Sequence, residues 1–298
     1  MMRDGWQAND AVCSGGTSGI GWSGSGGQET GVGSDVEQAI ESDSGDAGIN
    51  YFYSLIDDEY VPSGIGTSPW SRDAQNGIAL AGLAAHVLES MPGGEGMHPA
   101  RLQIDILGKV PMVPLRPEVR VVRPGRRIQM LELELQAEGR ARAKASLLRV
   151  RKTHTPDVSV PCTVDFPESE RPLEPSPHSD GYRLQGNLHR PGPGMRWLRM
   201  LVDVVEGHSA TMFERAAMSA DFGTGTASLL SRKEWSLANI DISLHLTRLP
   251  RDEWLLLDAS SESAGNGVGL ANLRLGDREG MIGWGHQTIF VDTLRGVQ

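Results

Sequence analysis

Cysteine is almost absent from this chain: Cys13 and Cys162 are the two in 298 residues. Two thiols, one in a glycine-rich stretch and one in a proline-rich stretch, build neither a disulfide framework nor a metal-ligand spacing, which fits a reducing compartment. Long apolar runs are missing as well. No stretch approaches the ~18 residues that a membrane-crossing helix needs. The N-terminus lacks the basic start and apolar core of a signal peptide, so the expectation is a soluble, cytoplasmic protein. Clustered positive charge is also scarce. Lysine and arginine number 28 against 38 acids, a net charge of −10, and an acidic chain without basic clusters is a poor ligand for nucleic acid. The one arginine-rich run, Arg116 to Arg151, alternates with apolar residues and reads as the solvent face of strands.

What is present falls into two unlike parts. Residues 1–48 hold 12 of the 37 glycines, together with seven serines, and show no helical or strand period; they read as a disordered acidic tail. Inside it, Gly15-Gly16-Thr17-Ser18-Gly19-Ile20-Gly21 has the look of a dinucleotide-binding turn. Such a turn needs a buried strand before it and a helix after it. Here only Ala11-Val12-Cys13 precedes, and the glycines of Trp22-Ser23-Gly24-Ser25-Gly26-Gly27 will not hold a helix. No Tyr-x-x-x-Lys pair follows downstream, so no nucleotide cofactor is expected.

From residue 49 the pattern is α+β. Tyr51–Leu55 and Glu59–Pro62 are short strands, and Ser68-Pro69-Trp70-Ser71 is a turn. Gly77 to Glu89 is apolar nearly all round, the mark of a buried helix. Strands follow at Leu102–Leu107, Leu115–Val122, Arg127–Gln136 and Arg140–Val150. Residues 154–182 carry six prolines and read as a linker. A second unit, 183–298, then repeats the grammar of the first, 49–153. It runs from a strand over Trp197–Val205 to a helix opened by Met212–Met218, and then to strands at Ile240–Leu246, Trp254–Ser260, Val268–Leu275 and Met281–Val291. Anchoring the repeat on Glu138-Gly139 and Glu279-Gly280 places Ser146 opposite Gln287. A sheet wrapped on one helix must repeat or dimerise to cover its edge, and an internal duplication does so within one chain.

The stretch from Asn239 to Asp292 carries the chemistry. Its strands project an acid, a hydroxyl and an amide, a set that can hold a water against an electrophile. The acids, hydroxyls and amides on these strands include Asp241, Ser260, Ser261, Ser263 and Gln287. His245 shares a strand face with Asp241 in an alternating count. No group of residues has the spacing of a metal site.

The words of this grammar resemble the double-hotdog acyl-CoA thioesterases, the type II group of the thioesterase-like superfamily. The match rests on Ser68-Pro69-Trp70, Pro124-Gly125-Arg126-Arg127, Ala220-Asp221-Phe222-Gly223, Asn239-Ile240-Asp241, Glu253-Trp254-Leu255-Leu256-Leu257-Asp258 and Gln287-Thr288, and it covers roughly residues 50 to 292. The resemblance implies two tandem hotdog domains, each an antiparallel sheet wrapped around a central helix. It also implies a site in the second domain, with Asp241 as the base and Ser261, or its neighbours Ser260 and Ser263, and Gln287 fixing the water, and hydrolysis of an acyl-CoA without a covalent intermediate or a cofactor. Asn76 and Gly77, at the first helix's N-terminus, would receive the oxyanion. The family's His-Gly-Gly at that point is replaced by Asn76-Gly77-Ile78. Two other readings stand beside it: a hotdog protein that binds acyl-CoA without cleaving it, and an enoyl-CoA hydratase using Asp241 and His245. A homodimer of double hotdogs is a further expectation.

Overall fold

The computed structural model describes residues 49–162, 164–167, 176–187 and 190–294. The expected tail, its glycine turn and Cys13 lie outside the described residues. The order is β1 (Tyr51–Ile56), β2 (Glu59–Pro62), a 3-10 turn, β3 (Thr67–Ser68), β4 (Ser71–Gln75), α1 (Gly77–Ser90), β5 (Met97–Ile106), β6 (Arg116–Pro124), β7 (Ile128–Ala137) and β8 (Arg140–Arg151). It continues with β9 (Ser179–Asn187), β10 (Arg190–Met200), β11 (Asp203–Val205), α2 (Met212–Ala220), α3 (Gly223–Thr226), β12 (Trp235–Asn239), β13 (Asp241–Leu246), β14 (Trp254–Ser263), β15 (Val268–Asp277) and β16 (Gly280–Thr293).

One large sheet holds most of the strands, in the order β6-β7-β8-β5-β13-β16-β15-β14-β10-β9, with β12 also paired to β16. All its pairings are antiparallel. Strands of the two halves join at β5 and β13, where Ile104 lies opposite Ile242 and Leu102 opposite Leu244. Alternation then sorts the side chains. Leu102, Ile104, Leu131, Leu133, Leu147, Ile242, Leu244, Leu257 and Leu273 share one buried core with the helices.

The helix α1 forms where the apolar residues say it should. Asn76 caps it, its Oδ1 accepting from the amide of Ala79 at 2.7 Å. At the other end Arg149 donates to the carbonyls of Leu88, Glu89 and Met91, at 2.5, 2.9 and 3.0 Å, satisfying the last turn. Arg149 is therefore buried, an exception within a run expected to face solvent. The second helix, α2, starts on a capping box between Thr211 and Glu214. Glu214 Oε1 also meets His86 Nδ1 at 2.8 Å, tying α2 to α1.

Three expectations change. The stretch Trp197–Val205 is not one strand, because β10 ends at Met200 and β11 leaves to pair in parallel with β1. The linker ends earlier than expected, since β9 starts at Ser179, and its first part is packed on the sheet. Phe166 stacks among Tyr182, Trp197 and Trp254, and Trp197 Nε1 donates to the carbonyl of Asp165 at 3.2 Å. A proline-rich segment thus serves as a strap over the sheet's outer side.

The third concerns the repeat. Glu138 and Gly139 are the two turn residues between paired Ala137 and Arg140. In the second hairpin the turn residues are Arg278 and Glu279, between paired Asp277 and Gly280. Matching the two Glu-Gly pairs is thus one residue out of register, and a one-residue slip moves a side chain to the other face. In the hairpin register the counterpart of Gln287 is Leu147, buried like it, and not Ser146.

Candidate active site

Three adjacent strands line up a single cross-strand row: Ser261 on β14 lies opposite Ala271 on β15, which lies opposite Gln287 on β16. The row faces the helices. Ser261 follows the inward positions Leu255, Leu257 and Ala259, while Ser260 is exposed and Ser263, also exposed, spends its hydroxyl on the carbonyl of Val268 at 2.6 Å. Of the three candidate serines, Ser261 is the inward one. Two strand spacings, about 10 Å, separate Ser261 from Gln287, with only the methyl of Ala271 between them. Two polar groups so placed flank a guest and do not bond each other. The same row in the first half is Val121, Leu131 and Leu147, which is wholly apolar.

Gln287 is 2% exposed. Its Nε2 donates to the carbonyl of Asp221 at 3.0 Å, while its Oε1 is buried with no partner among the described residues. The hydroxyl of Ser261 is in the same condition, as is Oδ1 of Asn239. Buried polar atoms are nearly always bonded, so such atoms call for an explanation, and a catalytic role or a bound water is among the usual ones. Gly223, the first residue of α3, makes the approach possible: a Cβ there would lie 2.1 Å from Gln287 Oε1.

Asp241 sits elsewhere. Thr288 faces Ile240 in the register of β12 and Asp241 in that of β13, so the chain bulges between the two strands. Beyond the bulge Asp241 alternates with Ile242, Leu244 and Leu246, which are buried, and shares the outer side with Ser243 and His245. Its Oδ1 accepts a hydrogen bond from the backbone amide of Thr288, substituting for a carbonyl in the ladder. The structure therefore brings Ser261 and Gln287 to one face and leaves Asp241 on the other, next to Asp105 of β5. His245 is exposed on that same outer side.

The carboxylate that does reach the inner face is Asp221, at the end of α2. Its Oδ1 accepts from Asn239 Nδ2 at 2.7 Å, and its carbonyl takes both Asn239 at 3.3 Å and Gln287. A Cβ added to Gly77 would lie 2.3 Å from Asp221 Oδ1, so the carboxyl rests against the first residue of α1. Asn239, Gln287 and Gly77, each singled out in the sequence, thus meet at Asp221. Packed atoms crowd this carboxyl although part of the residue stays accessible. Desolvation raises its pKa from 3.8 to about 7, against the opposing pull of the Asn239 hydrogen bond and the Arg232 charge. Sequence reasoning passed over Asp221 because Asp-Phe-Gly after a helix reads locally as a helix end. The signal available was its place among the motif residues.

The large antiparallel sheet packed on its helices is that of a hotdog protein. A model of the acyl-CoA thioesterase N-terminal domain matches residues 67–150, and one of the acyl-CoA thioesterase C-terminal domain matches residues 153–291. The chain belongs to the acyl-CoA thioesterase family, and is a thioester hydrolase. Solved structures agree on the fold. A candidate thioesterase II from Thermobifida fusca is similar with a TM-score of 0.65 at 16% identity, covering 82% of this chain and 98% of that one. The acyl-CoA thioesterase II TesB2 of Mycobacterium marinum gives 0.60 at 18% identity, over 82% and 96%. A conserved hot dog protein of unknown function from Alicyclobacillus acidocaldarius gives 0.63 at 14%, over 80% and 95%. No curated protein matches the chain. Among the described residues no helix is long and apolar enough to cross a membrane, and no cluster of residues could hold a metal ion.

Proposed function

We propose that this protein hydrolyses a fatty or related acyl-CoA to the free acid and CoA by direct attack of water. One observation carries the reading: the inward row Ser261-Ala271-Gln287, with the Ser261 hydroxyl and the Gln287 carbonyl oxygen buried and without a partner among the described residues. A thioester carbonyl is electrophilic enough to need no covalent step. It needs a water held in place, a group to take its proton, and donors for the oxyanion.

Gln287 and Ser261 hold the water. The oxyanion develops at the N-terminus of α1, where the first-turn amides following Asn76 have no partners within the helix and the dipole favours negative charge. Asn76 spends its own side chain on capping, so its contribution is to shape that end. The apolar surface of α1 and the sheet accommodates the acyl chain. Asp241, the base expected from sequence, is bound to the Thr288 amide and so fixes the backbone beside Gln287.

We read the two halves as tandem hotdog units, 49–153 and 179–294. The matching two-residue hairpins, each followed by a register shift, support that reading. The apolar counterpart row of the first unit agrees with a single site in the second.

The test is release of free thiol from a panel of acyl-CoAs of increasing chain length, followed with a thiol-reactive dye. Turnover with at least one chain length is expected, with a fall of about 100-fold or more in kcat for Gln287→Ala, which removes a group that positions the water. No release with any chain length defeats the proposal.

A further inference from the structure

We infer that the outer face of the large sheet, over β5, β13, β16 and β15, is a docking surface for a second copy of this chain. The two copies are related by a two-fold axis that runs along the cross-strand row Gln103-Ser243-His286-Asn272. The inference goes beyond the proposed hydrolysis and does not depend on it.

The outer side is covered at one end and open over its middle. At the covered end Phe166 of the strap stacks on Tyr182, Trp197 and Trp254, and Trp254 is buried there. Over β15 and β16 none of the described residues does the same. Trp284 is 50% exposed, Phe290 52%, Val268 46% and Leu270 43%. Val268 lies opposite Phe290, and Leu270 follows two residues on along β15, on the same face. A monomer rarely leaves adjoining large apolar side chains in water unless they form an interaction surface.

Charge identifies the occupant. Gln103, Ser243, His286 and Asn272 lie opposite one another on β5, β13, β16 and β15. Two residues to one side, the same strands present Arg101, His245, Trp284 and Arg274. Two residues to the other side, they present Asp105, Asp241, Thr288 and Leu270. One flank is thus basic and aromatic, the other acidic at β5 and β13. Arg101 and Asp105 stand four residues apart on one strand, about 13 Å, too far to pair within the chain. Neither forms an ion pair among the described residues, and Arg101 Nη2 reaches only the Ser146 hydroxyl, at 3.4 Å. A two-fold axis along the central row keeps each residue on its own strand and turns one flank onto the other. Arg101 then meets Asp105 of the second copy, His245 meets Asp241, and Trp284 lies on Thr288 beside Leu270. Each contact is made twice, as a self-complementary interface requires. Two sheets stacked about 10 Å apart with aligned strands are ordinary face-to-face packing. On β14 Asp258 would meet Glu262, so the contact ends at β15. The inward row Ser261-Ala271-Gln287 is on the opposite side of the sheet and is not covered by this pairing.

The experiment is sedimentation of the full-length chain over micromolar concentrations, with thermal melts of every variant to confirm folding. The wild type should sediment at twice its chain mass of 32.2 kDa. Arg101→Glu sets an acid against Asp105 at both ends of the interface, and Asp105→Arg sets a base against Arg101. Each should raise the dissociation constant about 100-fold or more, because like charges then face each other at two places. The double variant Arg101→Glu/Asp105→Arg restores opposite charges across the axis and should recover most of the affinity, the coupling that two unrelated surface changes would not show. Trp284→Ser should weaken the pair without changing the melt. A wild type that stays monomeric at every concentration overturns the proposal. So does a dimer indifferent to both single reversals and to Trp284→Ser, since another face would then carry it. Loss of the dimer in the single variants without recovery in the double variant overturns the two-fold arrangement. A particle of more than two chains supports the proposal if the single reversals split it, and overturns it if they do not.

Discussion

Replacing Gly223 with alanine tests the packing of the site with a single methyl group. The new Cβ would lie 2.1 Å from Gln287 Oε1, 3.0 Å from its Cδ and 3.1 Å from Ala271 Cβ. Ala271 is part of the sheet and cannot yield, so the amide of Gln287 must turn away, breaking its 3.0 Å bond to Asp221. Overpacking costs about 1–3 kcal/mol and the lost hydrogen bond about 1. The backbone gain from glycine to alanine in a helix offsets about 0.5–1 kcal/mol. The net is a loss of roughly 1–3 kcal/mol, or about 2–12 °C in Tm at the ~2–4 °C per kcal/mol of a protein this size. Activity should suffer more, since a displacement of about 1 Å in a positioning group costs on the order of 100-fold. Gly225, two residues on in the same short helix, is the control. Its added Cβ would meet Arg196 Nη2 and Phe222 Cδ1 at 3.5 Å, an ordinary contact. Gly225→Ala should keep its rate and its melting temperature within a degree or two. The assays are thermal melts and thiol release on both variants. Wild-type kcat in Gly223→Ala, or equal damage from Gly225→Ala, would refute the claim that Gln287 is held against Gly223.

Two stability predictions follow from buried charge. The folded protein holds the Asp221 proton up to about pH 7 while the unfolded chain releases it near 3.8, so ionisation costs stability increasingly across that window. The stability of Asp221→Asn relative to wild type should therefore grow from about pH 4 to pH 7 and then level off, with a ceiling of about 4 kcal/mol. Urea melts at several pH values would show it, and a flat difference would contradict it. Burial lowers His178 to about 4, so its own contribution has the opposite slope, rising with pH up to 6.5; it is common to both proteins and cancels in the difference. Separately, Asp277 is fully buried and accepts from Arg248 Nη1 and Nη2 at 2.5 and 2.6 Å and from the amides of Arg251 and Glu279. Asp277→Ala strands that guanidinium and should cost about 3–5 kcal/mol in a urea melt; a loss under 1 kcal/mol would show the pair to be dispensable.

The sequence determined the local elements and much of the chemistry. Buried α1 is legible because its apolar residues leave no wet face, and β13 to β16 because period-two alternation survives in each. Gln287 came from the family resemblance, and its buried place on β16 follows the alternation of that strand. What the sequence left open was long-range. A bulge of one residue at Ile240-Asp241 sends Asp241 to the outer side, and no window of alternating residues records where a ladder slips. The hairpins were misaligned by one for the same cause, since Glu-Gly occurs in both turns but at different turn positions. Asp221 stands at a helix end, where local pattern predicts only a cap. It becomes the meeting point of Gly77, Asn239 and Gln287 because α1, β12 and β16 converge in space, and that convergence belongs to the packing of the sheet and helices rather than to any segment of the chain.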